Sequence, residues 1–388
     1  MPARDPQAGT AGSKAPNIAD SLPGSSARTA ARAAPADASR VSVPAVVLFC
    51  ALTVAALTWA KWWPYALKVP AVMGDHTLGT SALVDGTGRV PDPSLQAGLD
   101  YAVLYFDSVW IALVAGFLIA AAVETFLPRR WLLRTLRRRR AHGDVVTAGL
   151  ASTASMMCSC CAAPVASSLR RQGASTPSTL AFWVGNPTLN PVVIVFLVVV
   201  LPWQWAAVRV TVGALLVFAV TAALARIARN RGEDSDPGEP AGALDCGSVG
   251  SSSLRHGAVR FVRVLGRLAR QILPGYVAAV FVLGALRGWL FAASGSAEGA
   301  AVATAVVLAL VGLLFPIATA AEIPIIQGLL AAGMAPAVAA VLLITLPAAN
   351  LPSLLVMRRE VAWRPLAVLA GAVLACGLLA SVLIAALT

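Results

Sequence analysis

The chain of 388 residues is 58% hydrophobic and only 12% charged, against roughly half and a quarter for an average soluble domain. Its mean hydropathy of +0.77 reflects apolar runs long enough to cross a hydrocarbon core of about 30 Å, which excludes an ordinary soluble enzyme and places the chain in a lipid bilayer. The net charge of +12 comes from arginines beside those runs, where they act as topology signals and not as a nucleic-acid surface.

Residues 1–42, rich in Ala, Ser, Pro and Arg without apolar periodicity, read as a disordered cytoplasmic tail. Residues 43–63 then make a first transmembrane helix, and 64–99 an extracytoplasmic loop. Apolar runs at 101–127, 145–171, 177–201 and 203–225 build a first membrane repeat over 100–225. The polar segment 226–259 reads as a cytoplasmic linker. A second membrane repeat over 260–388 holds runs at 271–293, 300–332, 335–357 and 363–387.

Charge decides which runs cross. Arg129, Arg130, Arg134 and Arg137 to Arg140 put the end of the second run in the cytoplasm. Arg226, Arg229, Arg231, Arg255, Arg260, Arg263, Arg267 and Arg270 do the same for the linker. A full crossing by 145–171 would carry Arg170, Arg171 and then that whole central cluster outside. A hairpin that enters from the cytoplasm, turns around Cys158 to Pro164 and returns keeps them inside. Arms of about 12 residues would reach roughly 18 Å, past the midplane but short of the far side.

The second half repeats the first. At a constant offset of 160, Pro164 matches Pro324, Leu169 matches Leu329 and Gly173 matches Gly333. Pro187 matches Pro347, Asn190 matches Asn350, and Trp203 matches Trp363. This makes 300–332 a second hairpin, and the arginines preceding 271–293 turn the second half upside down relative to the first. The predicted fold is an all-α polytopic membrane protein of two inverted repeats, with about seven crossing helices and two re-entrant hairpins. Its N-terminus lies in the cytoplasm and its C-terminus outside.

Met156-Met157-Cys158-Ser159-Cys160-Cys161 holds five of the chain's twelve sulfur residues in six positions. Soft ligands select soft ions, and trivalent metalloids take two or three thiolates, so Cys158, Cys160 and Cys161 are candidate metalloid ligands. The competing reading is adaptable apolar filler. Glu322, beside Pro324 in a stretch otherwise free of charge, is a candidate proton-coupling acid, against a hydrogen-bonded glutamate at the hairpin mouth. The repeat sets it opposite Ala162, so it is expected to face the thiols.

Asn186-Pro187, Asn190-Pro191, Pro347 and Asn350-Leu351-Pro352 break two of the runs. Asn186, Asn190 and Asn350 are therefore candidate substrate-binding amides, and Pro164, Pro187, Pro324 and Pro347 candidate hinges. Arg209 and Arg287 are expected to pair or to snorkel. The chain carries no phosphate-binding loop, no H-E-x-x-H helix and no nucleophile elbow. No ATP site of its own, no cofactor and no enzyme chemistry are expected.

Together, Cys158-Ser159-Cys160-Cys161-Ala162-Ala163-Pro164, Ser168-Leu169-Arg170-Arg171-Gln172-Gly173-Ala174-Ser175, Ala181-Phe182 and Asn186-Pro187-Thr188-Leu189-Asn190-Pro191 resemble a known family. It is the predicted-permease family that includes the trivalent organoarsenical efflux permeases. Glu322-Ile323-Pro324 with Gly333 is similar to the family's E-x-P element, and Lys61-Trp62-Trp63-Pro64-Tyr65 with Lys68 is similar to a further, less specific stretch. The resemblance spans roughly 45–388. It implies a permease exporting a soft, thiol-reactive solute such as a trivalent metalloid or its organic derivative. Cys161 stands where the family has glycine. The alternative is a membrane thiol–disulfide relay, because Cys158 and Cys161 also form C-x-x-C, although Cys50, Cys246 and Cys376 supply no partner pair.

Overall fold

In lipid every backbone polar group needs an internal partner, which leaves helices as the simplest solution for an apolar chain. The computed structural model describes residues 43–79, 91–127, 141–230, 254–290 and 301–388. Among them every regular element is helical. The expected tail over 1–42, the arginines between 129 and 140, Arg231 and Cys246 lie outside the described residues.

Seven helical stretches are long and apolar enough to cross a membrane: Ala45–Asp75, Leu95–Phe126, Thr176–Val200, Trp203–Ile227, Gly257–Ala285, Pro336–Met357 and Trp363–Leu387. The chain is an all-α polytopic membrane protein. In chain order the helices are α1 (Val43–Leu57), α2 (Trp63–Asp75), α3 (Leu95–Phe126), α4 (Ala141–Ser155) and α5 (Ser159–Arg171). Next come α6 (Thr176–Thr188), α7 (Pro191–Val200), α8 (Trp203–Ala214), α9 (Thr221–Asn230) and α10 (Leu254–Ala285). The rest are α11 (Ala301–Leu314), α12 (Glu322–Ala331), α13 (Pro336–Ala340), α14 (Leu342–Ala348), α15 (Leu351–Met357) and α16 (Trp363–Leu387). Short π-helical turns join α1 to α2 (Thr58–Trp62) and α8 to α9 (Leu215–Val220).

Three expected boundaries move. Residues 64–75 are helix and not loop, because Pro64 falls in the first turn of α2, where a missing N–H costs little. Pro70 inside α2 does not end it. The linker is shorter than 226–259, since α9 runs to Asn230 and α10 starts at Leu254, with Arg260, Arg263, Arg267 and Arg270 on its first turns. At about 1.5 Å per residue α10 spans roughly 48 Å, longer than the hydrocarbon core of about 30 Å, so its first turns, with Arg260 and Arg263, extend beyond it. The break after α4 falls at Met156–Cys158 and not at Cys158–Pro164, and Pro164 lies inside α5. Met156 takes the left-handed conformation (φ 50°). The break's backbone is then held by two side chains, with the Asn186 Oδ1 accepting from the Met157 N–H (3.2 Å) and the Asn190 Nδ2 donating to the Met156 carbonyl (3.1 Å).

The 160-residue offset recurs in the backbone. Gly173 and Gly333 both have positive φ, 101° and 90°. Each closes a helix with the same two bonds, from its N–H to the carbonyl of Arg170 or Leu330, and from the next N–H to Leu169 or Leu329. Asn190 and Asn350 each cap the helix after a break, and Trp203 and Trp363 each open a helix. One packing contact recurs with its partners exchanged: a Cβ on Gly185 would lie 2.3 Å from Ser152 Oγ, and a Cβ on Gly312 would lie 2.4 Å from Thr345 Oγ1. In both halves the small residue lets the first arm of a helix–break–helix segment approach the following broken helix.

Polar contacts mark the two ends of the bundle. At one end Glu124, closing α3, meets Arg171 of α5 (3.1 Å) and Arg267 of α10, and Arg171 also meets Glu360 (2.6 Å) before α16. At the other end His76, after α2, bonds the Val199 carbonyl at the end of α7 (3.0 Å), and Gly288, beyond α10, lies against Pro91 ahead of α3.

Candidate functional site

The first helix–break–helix segment delivers its sulfur to the interior. Cys158, Cys160 and Cys161 are all buried and free. The Cys158 and Cys161 Sγ atoms are 2.9 Å apart, because Cys158 is the extended N-cap of α5 and Cys161 lies in its first turn. Cys160 turns to another side, where its Sγ lies 3.0 Å from the Tyr105 hydroxyl and accepts from the Asn350 Nδ2 at 2.9 Å. Its thiol is still near enough to Cys158 for the two to interact. Among the described residues no three His, Cys, Asp or Glu side chains are arranged to hold a metal ion together. Cys158 and Cys161 thus form a pair with Cys160 as its neighbour. Gly116 makes room for this: a Cβ there would lie 2.7 Å from the Cys161 carbonyl oxygen, so α3 rests directly on the backbone of α5.

All four tyrosines of the chain surround this region. Tyr105 on α3 bonds the Tyr276 hydroxyl on α10 (2.7 Å), and the Tyr101 hydroxyl donates to the Pro316 carbonyl (2.5 Å) in the break of the second segment. Tyr65 lies under Lys61, whose Nζ is 5.5 Å from the ring centroid and donates to Thr319 Oγ1 at 2.9 Å. Lys61 is buried and close enough to Cys158 and Cys161 to act on them electrostatically.

The amides divide. Asn350 reaches the site, donating to Ser159 Oγ (2.9 Å) and to Cys160 Sγ while its Oδ1 caps α15 through the Ser353 N–H. Asn186 and Asn190 are instead engaged by backbone and by Ser155. They brace the break that presents the thiols.

Glu322 opens α12 and is 1% exposed, but its partner is Arg209 (3.1 Å) and not a thiol. The part of the second segment that reaches the thiol region is Thr319, through Lys61. Arg209 is fully buried, so it does not snorkel. Its Nε donates to the Thr188 carbonyl (2.8 Å), its second terminal nitrogen to the Pro187 carbonyl (2.8 Å) and to Glu322, and its first to the Leu343 carbonyl. Prolines explain the choice. In a regular helix the Pro187 and Leu343 carbonyls would accept from residues 191 and 347, and both are prolines without an N–H. The Val192 N–H that would serve Thr188 goes to Asn190 Oδ1. Arg287 is also buried, with its guanidinium 5.3 Å from the Tyr101 ring centroid. Pro187 and Pro347 thus lie one residue before the ends of α6 and α14, beside real breaks, whereas Pro164 and Pro324 lie inside unbroken α5 and α12.

Residues 100–386 match a family described as predicted permease. The chain is also 39% identical over 312 residues to the UPF0718 protein YraQ of Escherichia coli (strain K12), covering 80% of this chain and 86% of that protein. No solved structure matches it.

Proposed function

The chain belongs to the predicted-permease family, and from that membership we propose that it exports a soft, thiol-reactive solute such as a trivalent metalloid or its organic derivative. It is a multi-pass membrane permease. The observation that carries the finer reading is the adjacent, buried and unbonded pair Cys158 and Cys161, with Cys160 beside it, where the break of one segment meets residues of the second half. A trivalent metalloid hydroxide can exchange two hydroxides for these two thiols, each thiol proton leaving with a hydroxide as water, and water reverses the exchange on release. The C-x-x-C relay reading is set aside because Cys50 and Cys376 stand singly among the described residues.

We take 141–171 and 301–331 as re-entrant and the two halves as inverted. Supporting this, the ends of α3 and α5 share one end of the bundle through Glu124 and Arg171, and the start of α16 joins them through Glu360. With that arginine-bearing end in the cytoplasm, the solute site becomes accessible from either side as the broken helices shift against one another. Asn350, at the break between α14 and α15, touches Cys160 and would sense such a shift directly.

Replacing Cys158, Cys160 and Cys161 together by Ser tests the reading, because size is kept and soft ligands are lost. Efflux of a trivalent organic metalloid from cells or everted vesicles should vanish while membrane insertion stays normal. Unchanged efflux in the triple variant would return the thiols to packing.

A further inference from the structure

Helix α3 packs against α5 and α10, and α15 packs against the same two, so these four helices close a ring. Each contributes one side chain to a polar cluster at the thiol site. Cys160 of α5 lies 3.0 Å from the Tyr105 hydroxyl of α3, which bonds Tyr276 of α10 (2.7 Å), while Asn350, capping α15, donates to Cys160 (2.9 Å). The same four segments are tied a second time at the arginine-bearing end. Glu124 of α3 meets Arg171 of α5 (3.1 Å) and Arg267 of α10, and Arg171 meets Glu360, just beyond α15 (2.6 Å). From Cys160 to Arg171 the two ties stand roughly 16 Å apart along α5, at about 1.5 Å per residue.

In the second tie Arg171 holds two carboxylates and Glu124 holds two guanidiniums, so the charges alternate. The Glu124 carboxylate also accepts from Ser168 Oγ (3.0 Å), and its carbonyl accepts from Gln172 Nε2 (3.2 Å). One pair, Arg171 with Glu124, lies within the first half. The other two, Arg171 with Glu360 and Glu124 with Arg267, cross to the second half. The repeat does not ask for this network, because the offset of 160 sets Ala331 opposite Arg171 and Gly284 opposite Glu124. It serves one face of the molecule and not the symmetry of the fold.

We propose that Glu124, Arg171, Arg267 and Glu360 form the gate between the solute site and the cytoplasmic face. This rests on the reading of Cys158 and Cys161 as solute ligands and adds the residues that control access to them. Parting the halves breaks the two crossing pairs but leaves Arg171 with Glu124, so α3 and α5 move as one body and neither of these charges is stranded. Arg267, whose side chain is 47% exposed, and Glu360 pass to water. The tie at the thiols gives way in the same movement, because Tyr276 and Asn350 belong to the half that leaves. In the arrangement described above the gate is closed.

The test measures how fast Cys158 and Cys161 react with a membrane-impermeant maleimide, located by mass spectrometry, in everted and in right-side-out vesicles holding the full chain. Combining Arg267→Gln with Glu360→Gln removes both crossing pairs, keeps Arg171 with Glu124, and leaves the net charge unaltered. Labelling in everted vesicles should rise on the order of 10-fold, about threefold for each partly exposed pair, with no rise in right-side-out vesicles. Arg267→Lys alone should keep the parent rate. An unchanged rate in everted vesicles, an equal rise from both faces, or a rise confined to right-side-out vesicles overturns the gate. In the parent, excess phenylarsine oxide should slow the labelling. Absence of that protection overturns the thiol reading and the gate's role with it, whereas protection with an unchanged rate in the double variant overturns the gate alone.

Discussion

Arg209 does three jobs with one side chain: it accepts the charge of Glu322, closes the carbonyls left open by Pro191 and Pro347, and ties the first half to the second. Removing it strands a buried carboxylate and three carbonyls, so Arg209→Met should cost about 3–5 kcal/mol and lower the melting temperature in detergent. Glu322→Gln is milder, since the amide oxygen still accepts from Arg209 but the side chain no longer titrates. We propose that protonation of Glu322 frees Arg209 during the transport cycle. Glu322→Gln should then bind solute yet lose its response to a pH gradient imposed on proteoliposomes, and a parental response would leave Glu322 a structural residue. The sequence made the thiols and Glu322 legible because sulfur and charge are rare within apolar runs. It did not reveal that Asn186 and Asn190 bond the break's own backbone and Ser155, since an amide that bonds a break and one that bonds a solute look alike until the break's backbone is placed. It noted Lys61 only within a less specific stretch of the family resemblance and passed over Tyr101, Tyr105 and Tyr276, although four tyrosines in a chain this apolar, two of them one turn apart on α3, were a readable signal.

At the scale of elements, Ser152 against Gly185 and Gly312 against Thr345 show how two related helix pairs keep one distance with opposite assignments of the small residue. Thr345 has no room to retreat, because a Cβ on Gly377 would lie 2.6 Å from its Cγ2. Gly312→Ala should therefore lower stability by about 1–3 kcal/mol, and adding Thr345→Ala should recover most of that loss in a double-mutant cycle read by thermal melting. Additive losses would show that the contact does not set the spacing of α11 and α14. The offset was legible in Pro, Gly, Asn and Trp because those residues dictate backbone conformation and caps, as Gly173 with Gly333 and Asn190 with Asn350 demonstrate. The exchanged Ser–Gly and Gly–Thr pairs were not, because complementary packing erases identity at both positions. The position of the break at Met156–Cys158 was also hidden, since it is held by side chains on α6 and α7 and not by a local turn residue.

For the whole molecule, the bundle's arginine-bearing end defines a test of orientation. A reporter after residue 172 should read cytoplasm and one at the C-terminus should read the outside. A cytoplasmic C-terminus would overturn the seven-crossing arrangement and the inversion. The site contacts have a further property: seven of them cross between the halves, joining Lys61 to Thr319, Tyr101 to Pro316, Tyr105 to Tyr276, Ser159 and Cys160 to Asn350, and Arg209 to Glu322 and Leu343. Membrane helices insert individually before they associate, so recognition between the halves is written into side chains and not into the peptide that joins them. Two separately translated pieces, 1–240 and 241–388, should find each other in the bilayer, co-purify through a tag on either one, and restore metalloid resistance that neither piece confers alone. The covalent join would then be dispensable, and the permease would work as a heterodimer of its own halves.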